Sequence, residues 1–188
     1  IDICSAPGGK AFQNLSLGNK MTLVDINKKR IKILKNNLNR LKFKSEILNI
    51  NALDISENEY FDVVVLDSPC SGLGTIRRNP EILFKKKPPD IRKLNEIQNS
   101  LINKASKLVK KKGVLLYMVC SFLSSETKNV KNFFLKNNKH YSQLKFKTDN
   151  QNDLYRFIDK EGDISCMPSE YNGFMVDGFY VVKFIKNA

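Results

Sequence analysis

The sequence contains no tryptophan, one histidine and only four cysteines among its 188 residues. The cysteines (Cys4, Cys70, Cys120 and Cys166) form no Cys-x-x-Cys pair, and no potential ligands surround His140 in the sequence, which argues against a zinc site. A disulfide framework is not expected, because a domain of this size builds its own core and no signal peptide is recognisable. These absences favour a reducing, cytoplasmic setting with free thiols and no metal.

Long hydrophobic runs are also missing. The longest, around Val114–Val119, is far shorter than the ~20 residues that span a bilayer, and there is no lipidation motif, so we expect no membrane attachment. Basic residues are abundant: 32 Lys and Arg face 19 Asp and Glu, for a net charge of +13. Such a surplus favours a polyanionic partner such as RNA, although a generally Lys-rich surface explains charge alone almost equally well.

Apolar runs alternate with helical patterns, which predicts one α/β domain built on a mostly parallel sheet. The predicted strands are Ile1–Cys4, Met21–Asp25, Glu46–Ile50, Phe61–Asp67 and Gly113–Ser121. The predicted helices lie near Ala11–Leu17, from Asn27 to Leu41, from Asp90 to Val109, and over Ser124–Asn138 with Ser124 or Ser125 as the N-cap. Tyr155–Ile158 and Phe179–Ile185 are predicted to form an antiparallel hairpin at the sheet edge. Since the chain starts inside a strand without methionine, we expect it to be the carboxyl-terminal part of a longer protein, and a monomer.

A glycine-containing loop follows the first predicted strand. Its sequence, Cys4-Ser5-Ala6-Pro7-Gly8-Gly9-Lys10, matches neither the G-x-G-x-x-G fingerprint nor a Walker A motif, which disfavours pyridine nucleotides and ATP. A turn at this place still lies in the usual ligand crevice of an open α/β sheet. Asp25 ends the second strand, where a carboxylate can accept hydrogen bonds from both hydroxyls of a ribose. A simple turn and a helix-entry Asp are the alternatives.

Two cysteines follow the fourth and fifth predicted strands. Cys70 lies in the segment Asp67-Ser68-Pro69-Cys70-Ser71-Gly72, and Cys120 lies in Tyr117-Met118-Val119-Cys120-Ser121. An isolated cysteine is usually a small buried hydrophobe. If these strands are neighbours, however, their ends lie ~4.8 Å apart and the two thiols converge beside the glycine loop. Such a pair suits addition of a thiolate to carbon 6 of cytosine, which makes carbon 5 nucleophilic enough to accept a methyl group.

At these motifs the sequence resembles the Fmu/Sun family of RNA (cytosine-5) methyltransferases. The matching segments are DICSAPGGK, VDI, VVVLDSPCSGLGTIRRNPEI, YMVCS and DGFYVVKF, in the family's order across nearly the whole chain. The IRRNPEI continuation is most similar to the bacterial enzymes that act on 16S ribosomal RNA. The resemblance implies a Rossmann-like class I fold, S-adenosylmethionine as cofactor, and an upstream RNA-binding region that is absent here.

The resemblance also implies roles for individual residues. Cys120 corresponds to the nucleophile, Cys70 assists release of the product, and Lys10 and Asp67 lie near the target base. The implied cofactor contacts are Cys4, Ser5, Ala6, Pro7, Gly8, Gly9, Lys10, Asp25, Asn51 and Asp67. The sequence departs from the family where Ser5 and Ser68 replace alanine, Val119 replaces threonine, and Asn51 replaces aspartate, with Asp54 as a possible substitute.

Other segments have weaker support. Arg77-Arg78 and Lys85–Lys87 are predicted to contact phosphate, whereas Lys110–Lys112 is interpreted as a solvated helix terminus. Phe174 and Phe179 are candidates for holding an extruded base, with core packing favoured for both. Cys166 and His140 are interpreted as structural.

Three other functions remain open from the sequence. The substrate can be transfer RNA instead of ribosomal RNA, or the chain can be a degenerate RNA-binding assembly factor. An amino-group methyltransferase is disfavoured, since DSPC is not the Asn/Asp-Pro-Pro-aromatic element that such enzymes carry after the fourth strand.

Overall fold

A computed structural model describes residues 1–58, 61–84, 89–147 and 153–188. The strands are β1 (Asp2–Ile3), β2 (Thr22–Val24), β3 (Glu46–Leu48), β4 (Phe61–Asp67), β5 (Val109–Val119), β6 (Tyr141–Gln143), β7 (Ile164–Cys166), β8 (Ser169–Tyr171), β9 (Phe174–Val176) and β10 (Phe179–Lys186). The helices are α1 (Gly9–Ser16), α2 (Lys28–Leu41), α3 (Glu81–Phe84), α4 (Ile91–Ser106) and α5 (Lys128–Asn137). Short 3₁₀ turns occupy Ala52–Asp54, Leu73–Thr75 and Asp153–Phe157.

The main sheet has the order β3-β2-β1-β4-β5-β10-β6, and β7 also pairs with β10. β1 to β5 run parallel to one another, whereas β10 is antiparallel to β5, β6 and β7. Because β1, β2, β4 and β5 are parallel, their carboxyl ends meet at the same rim of the sheet. The predicted adjacency of the fourth and fifth strands is confirmed, with Asp67 opposite Met118.

The core is divided between the two faces of the sheet. Leu23 packs with α1 and α2, while the adjacent Val24 belongs to the cluster that contains α4 and α5. Neighbouring residues of a strand point to opposite faces, so these helices cover opposite sides of the sheet. In α2, buried Ile31, Leu34 and Leu38 follow the predicted helical spacing, and Asn27 caps the helix by accepting hydrogen bonds from two backbone amides.

The carboxyl-terminal antiparallel strand is confirmed, but the predicted edge hairpin is wrong. β10 lies inside the sheet, between β5 and the β6 and β7 strands. Residues Asp153–Phe157 form a 3₁₀ turn, and of the predicted partner strand Ile158 makes an isolated bridge with Ile164. The Arg156 guanidinium of this turn packs over the ring of Tyr155 and over the ring of Tyr171 in β8. β7 therefore takes the place next to β10 that the sequence assigned to Tyr155–Ile158.

Two further predictions need correction. α5 begins at Lys128, not at Ser124 or Ser125, because the preceding residues form a turn that carries Glu126 into the interior. The lysines at 110–112 are exposed but do not end a helix, since β5 begins already at Val109.

Candidate functional site

The glycine loop crosses from the end of β1 to the start of α1 at the carboxyl rim of the sheet. Cys4 adopts a left-handed conformation with φ of 63°, and Gly8 has φ of 108°. A Cβ atom at Gly8 would lie 2.2 Å from the Phe12 ring, so glycine permits both the turn and the close packing of α1. Ser5 and Ala6 are buried, whereas Pro7, Gly9 and Lys10 are exposed.

Asp25 connects the end of β2 to this loop. Its buried carboxylate accepts hydrogen bonds from the backbone amides of Ala6 at 3.3 Å and Asn27 at 2.8 Å. Arg30 also donates to Oδ1, at 3.3 Å. Oδ2 carries the single long contact from Ala6, which leaves this oxygen able to accept a further hydrogen bond.

A cavity of about 480 Å³ opens beside the loop. Of the residues predicted to contact a cofactor, Cys4, Asp25 and Asn51 line it. The possible substitute Asp54 does not, and neither do the other predicted contacts: Ser5, Ala6, Pro7, Gly8, Gly9, Lys10 and Asp67. Asn51 also accepts a hydrogen bond from the Leu53 amide and so begins the short 3₁₀ turn there. The rest of the wall comes from β2, the 3₁₀ turn at Ala52–Asp54, α4 and the loops beside them. It is mainly apolar, with three polar side chains from α4: Val24, Ile26, Ile50, Ala52, Leu53, Pro69, Ile97 and Leu101 are the apolar residues, and Lys93, Glu96 and Ser100 the polar ones.

A second cavity of about 480 Å³ adjoins the first, and Lys93 and Ile97 of α4 line both. Cys70 and Ser71 form part of its wall. Asp25 thus lines the first cavity and Cys70 the second, whereas Cys120 lines neither of these two cavities. The sequence does not predict that α4 lines both cavities, because no motif indicates which face of this helix borders them.

The two cysteines converge as the strand order predicted. The Sγ atoms of Cys70 and Cys120 are 3.3 Å apart, and both side chains are partly buried. The contact between the two thiols lowers the pKa of Cys120 and raises the pKa of Cys70. Lys10 also lowers the pKa of Cys120, while burial and the Asp67 carboxylate raise it.

The pKa values of the other thiols are raised. Burial raises the pKa of Cys4 to about 12, and burial also raises the pKa of Cys166. All four cysteines lie in the described part of the chain, and among them the pKa of Cys120 alone is lowered. Because the thiolate is the nucleophilic form, this site can make Cys120 reactive at a pH where the other thiols stay protonated.

Lys10 and Asp67 meet in front of the thiols. The ammonium group of Lys10 lies 2.5 Å from the Asp67 carboxylate, and both side chains remain open to solvent. Behind them, Asp2 is almost fully buried, and one of its carboxylate oxygens has no hydrogen-bond partner in the described residues. Burial, with a further contribution from Asp67, raises the pKa of Asp2 to about 7.

A buried polar group that was not predicted from the sequence lies between the cysteine loops. Glu126 is fully buried and accepts hydrogen bonds from Ser71, Ser121 and Gln98. The signal in the sequence was the Cys-Ser dipeptide, which occurs at 4–5, 70–71 and 120–121; the serines of its second and third copies donate to Glu126.

The remaining predicted residues that the structure describes make other contacts than with the Cys70 and Cys120 thiols. Arg77 and Arg78 both pair with Asp177, and Lys85–Lys87 lies outside the described residues. Phe174 is 74% exposed, so core packing is wrong for it, whereas Phe179 packs against Phe157 with ring centroids 6.3 Å apart. Cys166 is buried, and His140 lies at the surface beside the Tyr141 ring.

In the described parts of the chain no helix is both long and apolar enough to cross a membrane. Within the same residues, no three His, Cys, Asp or Glu side chains are grouped so that they could hold a metal ion.

Known proteins resemble the chain in sequence. Residues 1–185 match the family described as 16S rRNA methyltransferase RsmB/F. The chain is 39% identical over 140 residues to ribosomal RNA small subunit methyltransferase B of Shewanella oneidensis, which covers 72% of this chain and 33% of the relative. It is 32% identical over 191 residues to the protein of the same name from Serratia proteamaculans, covering 99% and 42%. The chain thus spans well under half the length of these relatives.

Solved structures resemble it in fold. The crystal structure of PH0851 superimposes with a TM-score of 0.85 at 28% identity, covering 98% of this chain and 42% of that one. NSun6 from Pyrococcus horikoshii with SFG has a TM-score of 0.81 at 21% identity, covering 100% and 47%. The N-methyltransferase NodS from Bradyrhizobium japonicum has a TM-score of 0.58 at 12% identity, covering 100% and 84%. These likenesses confirm the predicted Rossmann-like class I methyltransferase fold.

Proposed function

Because the chain belongs to the 16S rRNA methyltransferase RsmB/F family, we propose that it methylates carbon 5 of a cytosine in RNA. The proposed methyl donor is S-adenosylmethionine, and the proposed substrate is RNA of the small ribosomal subunit, for which the relatives are named. The observation that carries the proposal is the 3.3 Å contact between the Cys70 and Cys120 sulfurs at the rim of the sheet.

The first cavity has the properties that an adenosyl group requires. Its volume of about 480 Å³ is in the range of small-molecule sites, and its wall is mainly apolar with a few polar groups. We assign Asp25 to the ribose hydroxyls, because its Oδ2 retains acceptor capacity, and Asn51 to the adenine or ribose. Residues 4–10 and Asp67 complete the proposed cofactor contacts. When bound, S-adenosylmethionine supplies an electrophilic methyl group.

Cys120 is the proposed nucleophile. Its thiolate adds to carbon 6 of the cytosine, and carbon 5 then becomes nucleophilic enough to take up the methyl group. A base then takes the proton from carbon 5, and its electron pair restores the ring double bond while the carbon 6–sulfur bond breaks, which releases the methylated base and returns Cys120 as a thiolate. The lowered pKa of Cys120, against the raised pKa values of Cys4 and Cys70, supports this assignment.

Cys70 is assigned to the release step. It lies within hydrogen-bond distance of Cys120, and therefore beside carbon 5 when Cys120 is bound to carbon 6, where its thiolate can take the carbon 5 proton whose loss lets the carbon 6–sulfur bond break. Lys10 and Asp67 are assigned to positions beside the target base, since their ion pair lies at the same rim and both groups act electrostatically on Cys120. Lys10 favours the thiolate, which the reaction needs at its start.

Three cysteine variants test the assignments. With small-subunit RNA and S-adenosylmethionine, Cys120→Ser should abolish formation of 5-methylcytidine, measured by mass spectrometry of digested RNA. Cys70→Ser should accumulate a covalent protein–RNA complex on ordinary RNA, because release fails. Cys166→Ser is the matched control, since Cys166 is buried elsewhere, and should retain activity.

Two outcomes would contradict the proposal. If the full-length protein that contains this chain, without substitutions, forms no 5-methylcytidine, the cytosine-5 assignment is wrong. Full activity of Cys120→Ser together with loss of the covalent complex in Cys70→Ser would exchange the two cysteine roles.

A further inference from the structure

Glu126 is a buried carboxylate that the proposed reaction does not use. Its Oε1 accepts hydrogen bonds from the backbone amide of Ser71 at 2.8 Å and from the Gln98 amide at 3.1 Å. Its Oε2 accepts hydrogen bonds from the hydroxyls of Ser71 and Ser121, each at 2.6 Å. Four donors therefore satisfy a side chain with no exposed surface.

These donors come from the residues next to the two thiols. Ser71 directly follows Cys70 and Ser121 directly follows Cys120, so a single carboxylate holds both cysteine loops. Gln98 reinforces the first loop, because it also donates to the carbonyl of Pro69 at 3.0 Å. Tyr117 reinforces the second, since its hydroxyl donates to the backbone carbonyl of Glu126 at 2.7 Å.

A buried carboxylate carries a desolvation penalty that a neutral side chain making the same contacts would avoid. Burying an ionised group costs free energy unless it is paired or fully hydrogen-bonded. In the described part of the chain no Lys or Arg forms an ion pair with Glu126, so neutral donors stabilise its charge. Charge-assisted hydrogen bonds are shorter and stronger than neutral ones, and four of them fix both loops more rigidly than apolar packing would.

We propose that Glu126 is a positioning residue that sets the contact between the Cys70 and Cys120 thiols by holding both cysteine loops. The importance of this contact for methylation rests on the proposed function, but the contact itself does not. Sulfur–sulfur hydrogen bonding depends on distance and direction, so a small movement of either loop weakens it. Removal of Glu126 should therefore act on Cys120 through Cys70.

The direction in which the pKa of Cys120 moves when Glu126 is neutralised distinguishes a positioning role from a purely electrostatic one. The charged and titratable groups that face Cys120 are Cys70, Asp67, Lys10 and, further out, Arg78. Glu126 acts electrostatically on Cys70, where its negative charge raises the pKa. Neutralising Glu126 would lower the thiol pKa values if it acted only as a charge. Loss of the Cys70 hydrogen bond would instead raise the pKa of Cys120.

The test is the pH dependence of Cys120 alkylation by iodoacetamide, followed by peptide mass spectrometry on the folded protein without cofactor or RNA. We expect Glu126→Gln to move the inflection upward by at least about half a pH unit, which slows alkylation at neutral pH about twofold. In a Cys70→Ala background the same substitution should cause no further shift, because the contact through which it acts is already gone.

Asp163→Asn is the matched control. Asp163 is also a fully buried carboxylate, but it accepts hydrogen bonds from Lys131, Tyr180 and Gln143, away from the cysteine loops. This variant should lower the melting temperature without moving the inflection. If Glu126→Gln does not fold, Ser121→Ala removes one of the four hydrogen bonds and should produce a smaller upward shift.

An unchanged or lowered inflection in Glu126→Gln, or in Ser121→Ala as its substitute, would overturn the positioning role. So would a shift of equal size in the Cys70→Ala background. Because alkylation needs neither S-adenosylmethionine nor RNA, the expected shift in a protein that fails to make 5-methylcytidine would reject the proposed function while supporting the role of Glu126.

Discussion

At the scale of single residues, reactivity depends on which groups surround each thiol. Cys4, Cys70 and Cys120 all lie near the same rim, yet burial makes Cys4 a poor acid and the Cys70 hydrogen bond makes Cys120 a better one. Lys10 and Asp67 act on Cys120 with opposite signs from a single ion pair. The ion pair therefore influences the pKa of Cys120 electrostatically, without a contact to its sulfur.

Substitutions in this ion pair should have opposite effects on Cys120. Lys10→Met removes the cation that favours the thiolate and leaves Asp67 unneutralised, so the alkylation inflection should rise. Asp67→Asn removes the anion and should lower it, even though methylation is lost. Lys110→Met is the control, because Lys110 lies at the opposite end of β5 and pairs with Asp62. Shifts of the same sign for Lys10→Met and Asp67→Asn would contradict the assigned electrostatics.

Asp2 should make the protein less stable as the pH rises. Its pKa is raised from 3.8 to about 7 by burial, so the folded state binds more protons than the unfolded state between these values. Stability from this group is complete below about pH 4 and is lost as the pH rises through about 7. Asp2→Asn should remove this dependence and stabilise the protein at pH 8 by on the order of 1–3 kcal/mol.

Urea unfolding at pH 5 and pH 8 measures this effect. Asp62→Asn, which changes an exposed carboxyl group, provides the control and should leave the difference between the two pH values nearly unchanged. An Asp2→Asn protein that is less stable than the original at pH 8 would show that the ionised carboxylate has a stabilising partner.

At the scale of elements, the site depends on close backbone contacts between segments that are distant in sequence. Gly74 donates to the Cys120 carbonyl at 3.0 Å and accepts a hydrogen bond from Gly178 at 2.8 Å. The 3₁₀ turn after the Cys70 loop thereby connects the end of β5 with the start of β10. A Cβ atom at Gly74 would lie 1.9 Å from the Gly178 carbonyl oxygen, so this connection requires glycine.

Gly74→Ala should destabilise the protein by about 1–3 kcal/mol, because the backbone must move to relieve the overlap. Gly9→Ala is the contrasting variant, since a Cβ atom there meets nothing within 4 Å at the first position of α1. It should be neutral or stabilising by up to about 1 kcal/mol. Thermal unfolding of both variants checks the expectation, and equal destabilisation would refute the geometric argument.

The elements also show what the sequence could and could not predict. The parallel strands, the glycine loop, Asp25 and the convergence of Cys70 with Cys120 followed from strand-end motifs, because parallel strands bring their carboxyl ends together. The carboxyl-terminal region was harder, since β7 is only three residues long and the pairing of β10 depends on contacts far apart in sequence. Glu126 was missed for a similar reason: helical spacing placed it in α5, and only the tertiary structure turns it inward.

At the scale of the whole molecule, the net charge of +13 favours RNA, but not every cation near the site is free to bind it. Arg77 and Arg78 lie in the loop that follows Cys70, and Asp177, between β9 and β10, pairs with both. These arginines therefore link the Cys70 side of the site to the carboxyl-terminal strands. A phosphate that binds these arginines competes with Asp177 for them.

Asp177→Asn should strengthen binding of single-stranded RNA and steepen its dependence on salt, because Arg77 and Arg78 become available to phosphates. Filter binding between about 50 and 200 mM salt measures both quantities. Arg40→Gln, at the exposed end of α2, is the control and should change the affinity less than Asp177→Asn does. Weaker binding by Asp177→Asn would mean that the pairing organises the RNA surface instead of competing with it.

The central claim is that Cys120, held against Cys70, forms the bond to the base. RNA containing 5-fluorocytosine should trap that bond, because fluorine at carbon 5 blocks the release step. Trypsin separates the two cysteines, since Cys70 lies in the peptide 45–77 and Cys120 in the peptide 113–128. Mass spectrometry of the digested complex should find the nucleotide on peptide 113–128, and a nucleotide on peptide 45–77 would contradict the account.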